Sequence, residues 1–111
     1  MNMQTYRIGI DLGGTNIKVG IVNKKQDIIA SASRKTRKER PYQEVLDDMA
    51  ETVKDALKKI EVSITACNGI GIGSPGTIDH ENGIVIYSNN ISWEQIPLAE
   101  EIEKRLSLPV K

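Results

Sequence analysis

The chain has 111 residues, a length that suits one domain with a modest core. Its 15 Lys+Arg balance 15 Asp+Glu, which leaves no electrostatic footprint for nucleic acid or an anionic membrane. Cys67 is the single cysteine, so no intrachain disulfide can form; no apolar run approaches the ~18 residues of a membrane span, and the N-terminus has no apolar signal region. The expectation is a cytoplasmic protein with no nucleic-acid or membrane partner.

Residues 8–23, IGIDLGGTNIKVGIVN, read as a β-hairpin. Ile8 and Ile10 alternate with small residues and run into Asp11, while Ile17, Val19, Ile21 and Val22 resume an apolar β pattern. Residues 12–16 between them leave room only for a tight turn. Gly13 and Gly14 carry no Cβ, so their amides can lie against an anion and their backbone can take positive φ. Thr15 and Asn16 add hydroxyl and amide donors. Asp11 puts a negative charge where a phosphate-bound Mg²⁺, or a water on it, would sit. The spacing matches neither the dinucleotide fingerprint nor the Walker loop. A turn that needs glycine for backbone reasons alone is the competing reading.

Further along, residues 27–33 suit a third strand at a sheet edge. The charge run RKTRKER at 34–40 reads as a solvated loop, and Pro41 opens a helix over 41–60. Val45, Leu46, Met49, Val53, Ala56, Leu57 and Ile60 recur at spacings of three and four, which makes one core-facing stripe. Residues 61–68 read as a loop, with Cys67 as a small buried hydrophobe. GIGIG at 69–73 gives a strand with one apolar and one bare face, and bare faces occur where something approaches closely. SPGT at 74–77 is a turn, and Asn82-Gly83 between apolar alternations predicts a hairpin over 77–87. Asp79 and His80 read as turn residues at its mouth. Residues 88–93 read as a polar loop, Pro97 starts a helix with Leu98, Ile102 and Leu106 on its core face, and Pro109 introduces another strand. The order describes a mixed sheet with a right-handed crossover.

Three blocks in sequence, 8–23, 69–79 (GIGIGSPGTID) and 84–110, together resemble the ROK family of bacterial sugar kinases and sugar-responsive repressors. That family lies within the sugar-kinase, heat-shock ATPase and actin superfamily. The resemblance covers nearly the whole chain but only the N-terminal third or so of a typical member. It implies an α/β fold: a ribonuclease H-like (actin-like ATPase) lobe, with a mixed five-stranded-type sheet and flanking helices. Asp11, Gly13, Gly14 and Thr15 match the segment that holds ATP phosphates and Mg²⁺, with Asp11 facing the metal. Asn16 and Lys18 lie beside it; Lys18 reads equally as a phosphate contact or a solvent-facing strand lysine. Ser74, Pro75 and Gly76 match the turn lining the sugar pocket, with Gly76 approaching through its backbone. Asn90 matches an asparagine that hydrogen-bonds sugar hydroxyls, with Asn89 where the family has proline.

The implied activity is ATP-dependent phosphorylation of a hexose, glucose first among the candidates. N-acetylmannosamine, N-acetylglucosamine and fructose stay open. The family's catalytic aspartate lies in a Glu-Asn-Asp-Ala-Asn run expected beyond residue 111, so the chain by itself is expected to be inactive. Uncovered sheet edge near residues 109–111 leads to an expectation of self-association. A sugar-responsive transcriptional regulator of the same family is the alternative, and an actin-like filament protein is a third reading.

Overall fold

Alternation along the first strand sets the architecture. In β1 (Tyr6–Leu12), Ile8, Ile10 and Leu12 are buried on one face, and Arg7, Gly9 and Asp11 are exposed on the other. A computed structural model describes residues 5–74, 76–88, 91 and 93–110. β2 (Asn16–Val22) returns antiparallel to β1 with Ile17, Val19 and Ile21 buried, and β3 (Ile28–Lys35) pairs antiparallel with β2. β4 (Cys67–Gly73) lies parallel to β1 on its other side, giving the order β3-β2-β1-β4. Val110 makes an isolated parallel bridge to Ile70 on the other side of β4.

Helix α1 (Tyr42–Lys59) covers the apolar face of this sheet. Its buried residues are Val45, Leu46, Met49, Ala50, Thr52, Val53, Ala56 and Leu57, the stripe that helical spacing marks out, with Ile60 partly buried just past the end. Pro41 occupies the cap position, where its missing N–H is no loss. Lys58 and Lys59 in the last turn complement the helix dipole. Residues 61–68 are more ordered than a loop. Ile64–Ala66 form a short 3₁₀ turn whose first free amide, on Thr65, is capped by the Ser63 hydroxyl. Cys67 already belongs to β4 and is buried.

A second, three-stranded antiparallel sheet follows, in the order β5-β6-β7: β5 (Thr77–Asp79), β6 (Ile84–Ser88) and β7 (Trp93–Ile96). The hairpin over 77–87 is present, but its connection is four residues, His80–Gly83, rather than a two-residue Asn-Gly turn. β7 stands where part of a polar loop is expected. Trp93 buries its ring there, edge-on to Tyr42 with centroids 6.4 Å apart, so burial of one large ring selects a strand that no alternation announces. Helix α2 (Leu98–Leu106) packs on α1 through Ile102 and Leu106, and Arg105 reaches Asp47 at 2.8 Å and Glu101 at 2.9 Å. Ser107, in the left-handed region, ends the helix.

Gly83 pins the small sheet to α2. Its N–H donates to the Asp79 carbonyl at 2.9 Å, and its own carbonyl accepts the Ala99 amide at 3.0 Å, satisfying one orphan donor of the helix start. Its φ is +69°, and a Cβ there would lie 2.3 Å from the Ala99 Cβ. Gly83→Ala therefore combines backbone strain with overpacking and is expected to cost ~1–3 kcal/mol. Urea denaturation reads this as a lower midpoint; an unchanged midpoint would show that the turn is free to relax away from α2.

Candidate functional site

β1 and β4 are adjacent and parallel, so they end at the same edge of the sheet. Asp11 is in register with Gly73, and a Cβ on Gly73 would lie 4.0 Å from the Asp11 carboxylate oxygen Oδ1. The turn at 13–15 and the turn beginning at Ser74 therefore emerge side by side, although about sixty residues separate them in sequence. Asp11 is exposed beside its cross-strand neighbour Lys18, also exposed, and both face the open side of the sheet. Gly9 pairs with Gly20 on one side and Gly71 on the other, and Gly20 pairs with Ser31. This row of small residues floors a 430 Å³ trough that also takes in Asp11, Lys18 and Gly73. The bare face expected of residues 69–73 thus continues across the neighbouring strands.

The glycine turn differs from expectation in its internal geometry. The Gly13 N–H is not turned outward: it donates to the Asn16 carbonyl at 2.9 Å and closes the hairpin. Neither Gly13 nor Gly14 takes positive φ. What glycine supplies at 13 is space, because a Cβ would sit 3.1 Å from that same Asn16 carbonyl oxygen. Asn16 contributes its backbone to the turn closure and pairs with Lys35 as the first residue of β2. Among the described residues, no group accepts from the Gly14 or Thr15 amides. Those two N–H groups and the exposed Thr15 hydroxyl are the donors of the turn left open.

At the second turn, the Ser74 hydroxyl is buried with no hydrogen-bond partner among the described residues, and so is that of Ser88 at the end of β6. Buried hydroxyls without partners are uncommon and call for a ligand or an ordered water. Ser88 was not singled out by sequence reasoning, since a serine ending a strand carries no distinguishing signal. Gly76 is exposed with φ +100°, a backbone conformation that calls for glycine. Pro75, Asn89 and Asn90 lie outside the described residues.

The family model described as "ROK family" matches residues 7–111. The chain belongs to the ROK family. Among ROK relatives, it is 40% identical over 99 residues to a glucokinase of Thermotoga maritima, which covers 88% of this chain and 30% of that protein. It is 30% identical over 103 residues to a putative xylose repressor of a Caldicellulosiruptor species, covering 93% of this chain and 26% of that one. Of solved structures, a ROK glucokinase from Streptomyces griseus, in complex with glucose and AMPPNP, superposes with a TM-score of 0.83 at 28% identity, covering 95% of this chain and 31% of the other. The chain spans about a third or less of the length of these ROK proteins. Its fold is the ribonuclease H-like, actin-like ATPase α/β lobe, with a mixed sheet and flanking helices.

The charge run at 34–40, which reads from sequence as a solvated loop, is partly tied down in this ROK lobe. Arg34 and Arg40 are held by α1: Arg34, part-exposed, pairs with Asp55 at 2.7 Å and Asp48 at 3.6 Å, and Arg40, mostly buried, with Asp48 at 2.8 Å. Between them Thr36 is fully buried. A run of charges hides such pairing because its partners lie on α1, beyond the reach of local pattern.

Asp79 is the turn residue that the sequence suggests. Its carboxylate accepts from the Asn82 side chain at 2.8 Å and the Asn82 amide at 3.2 Å. Hydrogen bonding from Asn82 holds the Asp79 carboxyl below its ordinary value of 3.8. A depressed folded-state pKa favours the folded form above the unfolded pKa, and that contribution is lost as pH falls through the folded one. Asp79→Asn is therefore expected to lose less stability than the wild type between about pH 5 and pH 3. Thermal melting across that range checks it, and parallel acid-sensitivity of the two proteins would count against the assignment.

Proposed function

We propose that the full-length protein carrying this lobe is a sugar kinase that moves the γ-phosphate of ATP onto a hexose hydroxyl, with glucose the leading substrate. One observation carries the reading. The Asp11–Gly73 register sets a turn with two amides that have no acceptor among the described residues directly beside a turn whose buried serine hydroxyl has no partner among them. Phosphoryl transfer needs donor and acceptor held in line and negative charge neutralised, and two adjoining polar turns suit one occupant each.

In this reading the Gly14 and Thr15 amides and the Thr15 hydroxyl bind phosphate oxygens. Gly13 and Asn16 shape the turn, and Lys18 adds positive charge on the same open face. Ser74, Pro75, Gly76 and Asn90 orient the sugar. Among the described residues no three or more His, Cys, Asp or Glu side chains gather as a metal cluster. A lone exposed carboxylate at Asp11 fits Mg²⁺, which is bound through one or two carboxylates plus substrate phosphates and keeps several waters. When bound, the ion would supply charge neutralisation across the phosphates. The attacking hydroxyl needs a base, which the family motif sets beyond residue 111, so the chain alone is proposed to be inactive.

The likeness to a putative xylose repressor supports a second reading, in which the same sugar turn serves a transcriptional regulator without phosphoryl transfer. A coupled assay of the full-length protein with ATP, Mg²⁺ and glucose separates the two. The kinase reading expects turnover, with Asp11→Asn lowering kcat by about 10²–10³ and the 111-residue chain serving as the inactive control. Sugar binding without turnover would favour the regulator, and full activity in Asp11→Asn would remove Asp11 from the site.

Self-association is also proposed, now on the β3 edge. Ile28 is 71% and Ile29 37% exposed at the start of that edge strand, and unpaired strand edges with exposed apolar residues recruit another chain. Light scattering is expected to show a mass that rises with concentration, and that Ile28→Lys lowers; a monomer at high concentration would overturn it.

A further inference from the structure

Thr36 has two bonds on the glycine turn. Its hydroxyl donates to the Gly13 carbonyl at 2.7 Å, and its backbone N–H donates to the Thr15 carbonyl at 2.9 Å. The side chain is fully buried, although it lies within the most charged run of the chain. Its own carbonyl accepts from Arg40 Nη2 at 2.9 Å, and Arg40 is held in turn by Asp48 of α1 at 2.8 Å. A continuous path therefore links the helix to the turn, through Asp48, Arg40 and Thr36.

The consequence follows from peptide geometry. No peptide bond among the described residues is cis. In a planar trans peptide the carbonyl of one residue and the N–H of the next point in opposite directions. Drawing the Gly13 carbonyl towards Thr36 therefore turns the Gly14 N–H outward, and fixing the Thr15 carbonyl removes the freedom of the turn's far side. We infer that Thr36 is a positioning residue: it holds the Gly14 amide in its outward orientation before any ligand arrives. This rests on the reading of the turn as a phosphate site only for its purpose, not for its geometry.

Threonine suits the position on both counts. Its hydroxyl supplies the donor, and its methyl is buried with the rest of the side chain. Valine keeps the shape and backbone amide but loses the hydroxyl, while serine keeps the donor and loses only the methyl. The two variants separate orientation from packing.

The test is ¹⁵N relaxation on the 111-residue chain, with inorganic tripolyphosphate as the anion probe. In Thr36→Val, the order parameters of the Gly14 and Thr15 amides are expected to fall from about 0.85 to below about 0.6, with Val19 and Ile72 unchanged. Thr36→Ser is expected to keep them high even where its melting temperature drops, which a purely structural role would not allow. In the wild type, tripolyphosphate is expected to shift the Gly14 and Thr15 amides, and Thr36→Val to weaken that binding at least tenfold. Unchanged order in Thr36→Val, or an equal fall in Thr36→Ser, overturns the inference. A wild type whose amides ignore tripolyphosphate, with order still lost in Thr36→Val, supports the clamp and removes the phosphate reading instead. Should Thr36→Val fail to fold, Thr36→Ala removes the same hydroxyl from the Gly13 carbonyl and keeps the Thr36 backbone N–H. Loss of order at Gly14 and Thr15 then supports the inference, and its absence overturns it.

Discussion

Two-residue alternation in the central strands is the constraint on which the site depends. Ile10 and Leu12 are 3% and 1% exposed against the helix-covered face, so Asp11 between them can point only to the open side. The same rule sends Gly9, Lys18 and Gly20 there, opposite Ile8, Ile17, Val19 and Ile21. A one-residue slip would exchange the two sets. Exposing each of those large apolar side chains costs about 1.5–3 kcal/mol, so six of them together are comparable with the roughly 5–15 kcal/mol that typically separates folded from unfolded chains. Core packing thus places the carboxylate, with no need for any interaction of the carboxylate itself.

Strand direction does the rest. β1 and β2, being antiparallel, close the glycine turn at one edge; β4, being parallel to β1, delivers its own C-terminal turn to that same edge. Had β4 run the other way, Ser74 would lie at the opposite end of the sheet. Ligands in open α/β sheets gather at the carboxyl ends of parallel strands for this reason. Here β1 and β4 are the adjacent parallel strands, and β3, antiparallel to β2, runs the same way and ends beside the same turn at Thr36.

What the sequence made legible follows range. The 8–23 hairpin, the α1 stripe from Val45 to Leu57 and the Asp79 turn each declare themselves within a few residues, by alternation, helical spacing or a short polar side chain near an amide. The resemblance links the 69–79 block in function to the turn at 13–15, and the parallel register brings the two turns to one end of the sheet. Illegible were the features decided by partners far away in the chain. β7 begins at Trp93, buried near Tyr42 fifty-odd residues earlier, and nothing in WEQI alternates. Thr36 looks like one more polar residue in a charged run until α1 arrives beside it. The outward amides were assigned to both glycines, yet turn closure takes the Gly13 N–H and leaves that of Gly14, a choice that depends on which carbonyl reaches back across the hairpin.

The Arg40–Asp48 pair shows how an interaction of small energetic weight can matter to a site. Exposed ion pairs contribute about 0–1 kcal/mol, and Arg34–Asp55, with its side chains 35% and 47% exposed, belongs with them. Arg40 and Asp48 are only 14% and 23% exposed, and Arg40 spends further donors on the Thr36 and Arg37 carbonyls. A planar guanidinium that bonds a backbone carbonyl and a helix carboxylate together sets a direction as well as a distance. Along the path from Asp48 to Gly13 every link is a hydrogen bond of 2.7–2.9 Å, and each end is fixed to regular structure, α1 at one and the β1–β2 hairpin at the other. The turn is therefore held from behind by the same helix that buries the sheet, so the core that fixes the Asp11 carboxylate also fixes the amides beside it.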